Sequence, residues 1–98
     1  MILFAPGALR DLERFFDFYQ ASSPELAGEQ LARIREAVLL LDHHPLIGRV
    51  AGPGSTLREL VISTGKTGFV ALYEHARGEG LIRVVAIRHQ REVGYRDT

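Results

Sequence analysis

A chain of 98 residues with 46% apolar and 24% charged side chains has the makeup of a soluble globular protein, and it excludes a disordered or collagen-like chain. Cysteine is absent, which rules out a disulfide framework and a thiolate metal site and fits a reducing compartment. Twelve basic side chains balance twelve acidic ones, so a general nucleic-acid binder is disfavoured and any contact with a polyanion must be local. The length suits one domain over residues 1–98, burying roughly two thirds of its unfolded surface. Met1 to Pro6 lacks the basic start and long apolar core of a signal peptide, and Arg10, Asp11, Glu13 and Arg14 interrupt any membrane span. A cytoplasmic protein with no membrane association is expected.

Ile2 to Phe4 reads as a short edge strand stopped by Pro6-Gly7. A helix follows, in which Leu9, Leu12, Phe16 and Tyr19 make one apolar stripe, flanked by Phe15 and Phe18 and opposed by Arg10, Asp11, Arg14 and Asp17. Most of these aromatics are expected to be core. Ser22 followed by Glu25, with Pro24 in the first turn, reads as the capping box of a second helix. In that helix Ala27, Leu31, Ile34, Val38 and Leu41 repeat at alternating spacings of four and three up to His43-His44-Pro45. Residues 45–56 hold three glycines and two prolines and read as an irregular connection; Gly52-Pro53-Gly54-Ser55 lacks the lysine of a phosphate-binding loop.

Leu57 to Ser63, Phe69 to Glu74 and Leu81 to His89 carry the β-branched and aromatic content of strands, joined across residues 64–68 and 75–80. The simple solution is an antiparallel meander, giving an α+β fold in which a short strand and a helical hairpin pack on one face of a small sheet. Turns at those positions set Ser63 opposite Phe69, Glu59 opposite Tyr73 and Tyr73 opposite Ile82. Arg88 would then stand roughly 20 Å from Tyr73 along the strand, at about 3.3 Å per residue. On that register the candidate chemistry gathers elsewhere, in Lys66 with Arg88, His89, Arg91 and, from the tail, Tyr95 and Arg96.

His43 and His44 are adjacent and diverge by about 100° on a helix, and His75 and His89 fall at opposite ends of the sheet, so no metal site is expected. No cofactor is indicated either, because nucleotide-binding fingerprints and an apolar lysine are both missing. Arg58-Glu59 has two readings of equal weight, a functional role or an exposed ion pair reaching Glu74 or neighbouring strands.

The succession of a short strand, a helical hairpin, His44-Pro45-Leu46-Ile47-Gly48-Arg49, Leu57-Arg58-Glu59-Leu60, Gly68-Phe69-Val70-Ala71-Leu72-Tyr73 and Ile87-Arg88-His89-Gln90-Arg91-Glu92 resembles the RelE/ParE toxins of type II toxin-antitoxin systems. The resemblance covers nearly the whole chain. It implies a toxin held in a hetero-oligomer by a cognate antitoxin, with a target that is DNA gyrase in one branch of the family and the ribosome with its mRNA in another. Even charge and a single lysine, Lys66, favour the gyrase branch, with Arg88, His89, Arg91 and Arg96 as target-binding residues. An mRNA endonuclease would instead need a base, an acid and cations, for which Lys66, Arg88, His89, Arg91 and Tyr95 are the candidates. An inactive member that only binds the antitoxin is the third alternative. Antitoxin contacts are expected at Phe15, Phe18 and Tyr19, because the first helix holds more large apolar side chains than one stripe requires.

Overall fold

Pro6 ends one element and opens the next. A proline has no N–H for a strand ladder, yet at the first helical position none is needed, so β1 (Ile2–Phe4) gives way directly to α1 (Pro6–Gln20). The computed structural model describes residues 1–63 and 67–96, so part of the first expected turn, with Lys66, lies outside the described residues. α1 buries Gly7, Ala8, Asp11 and Phe15, with Leu12 and Tyr19 packed at the edge of the core, while Leu9 and Phe16 remain exposed. The expected stripe is therefore turned by about one position. Small Ala8 and charged Asp11 belong to the buried line, and a pattern built on large apolar residues passes over both. Phe15 is 4% exposed with its ring 4.8 Å from that of Phe69, so it is a core residue and not a surface anchor; Phe18 is 71% exposed.

α2 (Pro24–Leu39) begins one residue later than a Ser22 cap would allow. Ser23 is the cap, its Oγ accepting from the Leu26 N–H at 3.2 Å and donating to Glu25 at 3.0 Å. The reason is Pro24, which disfavours helical backbone in the residue before it and leaves Ser23 extended. Ala27, Ile34 and Val38 are buried as their spacing predicts, and a 3-10 turn (Leu40–Asp42) carries Leu41 into the same core.

Four further strands, β2 (Arg49–Val50), β3 (Leu57–Ser63), β4 (Gly68–Ala76) and β5 (Leu81–His89), complete a sheet of order β1-β5-β4-β3-β2. β1 runs parallel to β5 and all other pairs are antiparallel, so the fold is α+β with both helices on one face. β2 falls inside the stretch expected to be irregular. Its two residues take strand geometry because β3 supplies the ladder, an effect no local pattern reveals.

The observed register differs from the expected one. Ser63 pairs with Gly68, Arg58 with Tyr73 and Glu59 with Leu72, a shift of one residue. On the other side Tyr73 pairs with Val84 rather than Ile82, with a bulge at Leu72/Tyr73. β4 runs on to Ala76, and the reversal is made by Arg77–Glu79 with Gly80 in the left-handed region (φ 60°). Arg88 thus pairs with Val70, three residues from Tyr73, or about 10 Å rather than 20 Å along the strand. The two side chains nevertheless lie on opposite faces, for Tyr73 is in the helix-covered core.

Buried Tyr73 organises the connection from α2 to the sheet. Its hydroxyl donates to the Pro45 carbonyl at 2.8 Å and accepts from the Gly48 N–H at 2.9 Å, while the Arg58 guanidinium donates to the Gly48 and Leu46 carbonyls at 2.7 and 3.3 Å. Arg58 is therefore a structural clamp, and Glu74 pairs instead with Arg83 at 2.9 Å. A Cβ on Gly48 would stand 2.7 Å from both the Glu59 carbonyl oxygen and the Tyr73 hydroxyl. Gly48→Ala is expected to cost about 2–3 kcal/mol in urea unfolding, as overpacked sites do. Phe15→Ala should cost about 4 kcal/mol and Phe18→Ala under about 0.5 kcal/mol, and equal costs would contradict the assignment of core and surface.

Candidate functional site

Outward N–H groups on β5 alternate along the strand, and β1 is too short to meet all of them. Ile82 donates to the Met1 carbonyl at 2.8 Å, and Ala5 donates back to Val84 at 2.8 Å. Beyond that point carboxylates take over the role of a neighbouring strand. The Ile87 N–H donates to Asp11 Oδ2 at 2.8 Å and the His89 N–H to Glu92 Oε1 at 2.9 Å. Arg14 joins the two acids, lying 3.4 Å from Asp11 and 3.2 Å from Glu92, and Arg96 lies 3.6 Å from the second oxygen of Glu92. Burial pushes the Glu92 carboxyl up, but the His89 N–H and the Arg14 guanidinium outweigh it and hold the group below its ordinary value.

This arrangement draws the tail against α1 and opens a groove of about 520 Å³ lined by Arg14, Phe15, Phe18, Tyr19, Thr67, His89, Arg91, Glu92 and Arg96. Its floor is aromatic, with the His89 ring edge-on to Phe69 at 5.5 Å and Tyr19 edge-on to Phe18 at 5.2 Å. Its rim is cationic. The Arg14 guanidinium stands 4.5 Å over the Phe15 ring, and Arg91 and Arg96 are exposed. His89 Nδ1 accepts the Arg91 N–H at 3.1 Å, which fixes the ring's orientation.

On the other face of the sheet the tail folds back. Tyr95 donates its hydroxyl to Glu59 Oε2 at 2.5 Å, and the Arg88 guanidinium lies 5.3 Å from the centre of its ring. Its ring therefore crosses β4, whose Val70 and Leu72 on that helix-free face are buried. Arg49 from β2 completes the group with a 3.2 Å ion pair to Glu59. The hydrogen bond from Tyr95 outweighs partial burial and, aided by Arg49 and Arg88, holds Glu59 below the usual carboxylate value. Burial, the bond to Glu59 and its negative charge push the Tyr95 phenol far above its ordinary value, against a smaller opposing effect of Arg88.

The expected cluster is thus split by the sheet. Arg88 and Tyr95 share the open face, while His89, Arg91 and Arg96 share the groove on the helix face, where they meet Phe18 and Tyr19. Adjacent strand residues point to opposite faces, so Arg88 and His89 could not act on one small group together. Sequence reasoning missed Arg14, which it set on the polar face of the first helix, Glu92, which it named only as the end of a motif, and Arg49, which becomes informative only once β2 exists. Glu59 was legible as a residue type; the shifted register hid its partner. Among the described residues no three His, Cys, Asp or Glu side chains stand close enough to hold a metal ion.

Comparison with known proteins bears directly on this geometry. The sequence model of the ParE toxin of the type II toxin-antitoxin system, parDE, matches residues 2–94. The chain belongs to the ParE toxin family. No curated relative matches it. Membership implies an antitoxin partner for the toxin, and the match takes in the groove residues from Arg14 to Glu92 but stops short of Tyr95 and Arg96. No described helix of the toxin is long and apolar enough to cross a membrane.

Closure of the toxin's tail has a defined pH window. Glu59 and Glu92, with lowered pKa values, contribute stability above the ordinary carboxylate value that is lost as pH falls through their folded values. Tyr95, with a raised pKa, contributes stability that is complete below about pH 10 and lost as pH rises through its folded value. Urea midpoints followed by circular dichroism should be level between about pH 5 and 10 and fall on either side. Tyr95→Phe should abolish the alkaline fall and shrink the acid one to the part that Glu92 supplies, because Glu59 loses the hydrogen bond that chiefly lowers it. An unchanged alkaline limb would show that the phenol plays no such part.

Proposed function

We propose that this toxin is a cytoplasmic inhibitor of DNA gyrase, held silent by its cognate antitoxin, and that it acts by binding rather than by cutting RNA. The observation that carries this reading is the separation of His89 from Arg88 and Tyr95 by the sheet. Hydrolysis or transfer at a ribose phosphate needs a proton acceptor, a proton donor and cations converging on one group. On the open face Glu59 is paired with Arg49 and bonded by Tyr95, and the phenol is made a weaker acid by burial and by that same contact. In the groove, three arginines around an aromatic floor form a recognition surface with one imidazole and, among the described residues, no free acid beside it. Formal charge of zero with one lysine agrees, because a ribosome-bound nuclease must meet many phosphates.

The nuclease reading draws on the same open face, since Arg49, Glu59, Arg88 and Tyr95 do bring a carboxylate, two cations and a phenol together. Pulse labelling after induction of the toxin alone separates the two. Gyrase inhibition predicts an early fall in DNA synthesis with translation following later, and inhibition of supercoiling by the purified toxin. Arg91→Ala with Arg96→Ala should weaken that inhibition about tenfold, equivalent to about 1.4 kcal/mol, while the unfolding midpoint stays close to the parent's. Immediate loss of translation with cut mRNA would overturn the proposal and make Glu59, Arg88 and Tyr95 the residues to vary. No growth arrest at all would mark an inert antitoxin binder.

A further inference from the structure

Arg88 differs from the other described cations of the expected cluster, for it reaches neither the groove nor a carboxylate. It is half-buried on the open face, and its Nη1 turns back onto its own chain. That nitrogen donates to the His89 and Gln90 carbonyls at 3.3 Å each and to the Glu92 carbonyl at 3.2 Å. The same guanidinium lies 5.3 Å from the centre of the Tyr95 ring. A cation that meets three main-chain carbonyls within four residues closes a turn, much as a basic side chain closes the end of a helix.

The N–H groups of that turn are met by other side chains. His89 donates its N–H to Glu92 Oε1 at 2.9 Å, Arg91 donates its N–H to His89 Nδ1 at 3.1 Å, and the Glu92 N–H returns to the His89 carbonyl at 3.0 Å. Donors are thus held by a carboxylate and an imidazole, and acceptors by a guanidinium, and a polar network filled in this way specifies one conformation. Both tail cations of the groove depend on it. Arg91 projects from the turn itself, and Arg96 lies 3.6 Å from Glu92. Tyr95, the residue before Arg96, is fixed on the open face between Arg88 and Glu59.

We infer that Arg88 is a positioning residue, which touches no target and acts by fixing the turn that presents Arg91, and the tail that presents Arg96, to the groove. Its Nη1 is already committed to three carbonyls, so an anion from a target would have to open the turn to reach it. Arg91 and Arg96 are exposed and available. Direct contact would also require Arg88 and His89 to serve one ligand from opposite faces of the sheet, against strand alternation. The consequence for the target rests on the gyrase-binding reading of the groove, whereas the geometry is a property of the free toxin.

Arg88→Met keeps the apolar stem and removes the donors. In NMR of the free variant the Arg91 amide should exchange about tenfold faster and the His89 Nδ1 resonance should move, while the Gln90 amide, bonded to Gly68 of β4, changes less. In supercoiling assays Arg88→Met should weaken inhibition about tenfold, yet by less than about twofold when added to Arg91→Ala with Arg96→Ala. A change that only destabilised the toxin would add its loss in either background; a positioning residue has no effect once the side chains it positions are gone. Should Arg88→Met lose its circular dichroism signal, Arg88→Lys takes its place. Lysine keeps the charge but lacks the planar fork that spans the carbonyls and the ring, and smaller changes in the same direction are expected. An unmoved Arg91 amide and His89 resonance would overturn the inference. So would a further tenfold loss in the triple variant, which would put Arg88 in contact with the target. Failure of the unaltered toxin to inhibit supercoiling would overturn the gyrase reading instead, and the amide and imidazole signals of the free toxin would then decide the positioning role alone.

Discussion

The contact on which the candidate site of this toxin depends is the acceptance of the Ile87 N–H by Asp11. Asp11 is 2% exposed, and a carboxylate taken so far from water must recover the lost hydration from donors that hold still. A main-chain N–H of a central β-strand and the Arg14 guanidinium are such donors. The bond fixes the rotation of α1 against β5, which explains why Ala8 and Phe15 face the core and Leu9 and Phe16 do not. It also aims Arg14 at Glu92, and through Glu92 it draws the chain after β5 back against the helix. Groove, cationic rim and tail direction follow from one buried acid on a helix that reads, by composition, as if that acid were solvated.

From this constraint comes the division of labour between the two faces. Strand alternation sends His89 to the helix face and Arg88 to the open one, and the returning tail gives Tyr95 to the face of Arg88. The helix face then combines exposed Phe18 with Arg14, Arg91 and Arg96, so residues expected for the antitoxin and for the target line one groove. On the open face Arg49 and Tyr95 both bond Glu59, while Arg88 lies over the phenol ring and donates to the His89, Gln90 and Glu92 carbonyls. A surface that saturates its own polar groups in this way is well suited to holding a tail in place and poorly prepared to exchange protons with a substrate.

Much of the fold was legible from local pattern. The termini of β1, β3 and β5 agree with the runs of β-branched residues that announce them, and α2 follows its four-and-three spacing closely. Apart from the cap of α2, where reading failed a neighbour distant in sequence had overruled local preference. Ser23 replaces Ser22 as the cap because of the proline beside it, a local rule that was readable. β2 exists because β3 is present to pair with it. The register slipped because β4 outran its apolar stretch by two residues and the strands carry a bulge, and a one-residue slip moves every side chain to the other face.

By itself, then, the sequence determined the order of β1, the two helices and the three long strands, the class of the fold and the family, because these depend on periodicity, turn residues and motif order along the chain. It also pointed to the end of β5 as the functional end, since cations and titratable groups gather there. Only the tertiary structure decided which of those groups meet. That choice depends on strand register, on the rotation of α1 set by a buried carboxylate, and on the point where Tyr73 pulls Gly48 out of the ladder. The last two are contacts between residues 25 and 76 positions apart, and no short window of sequence contains both partners.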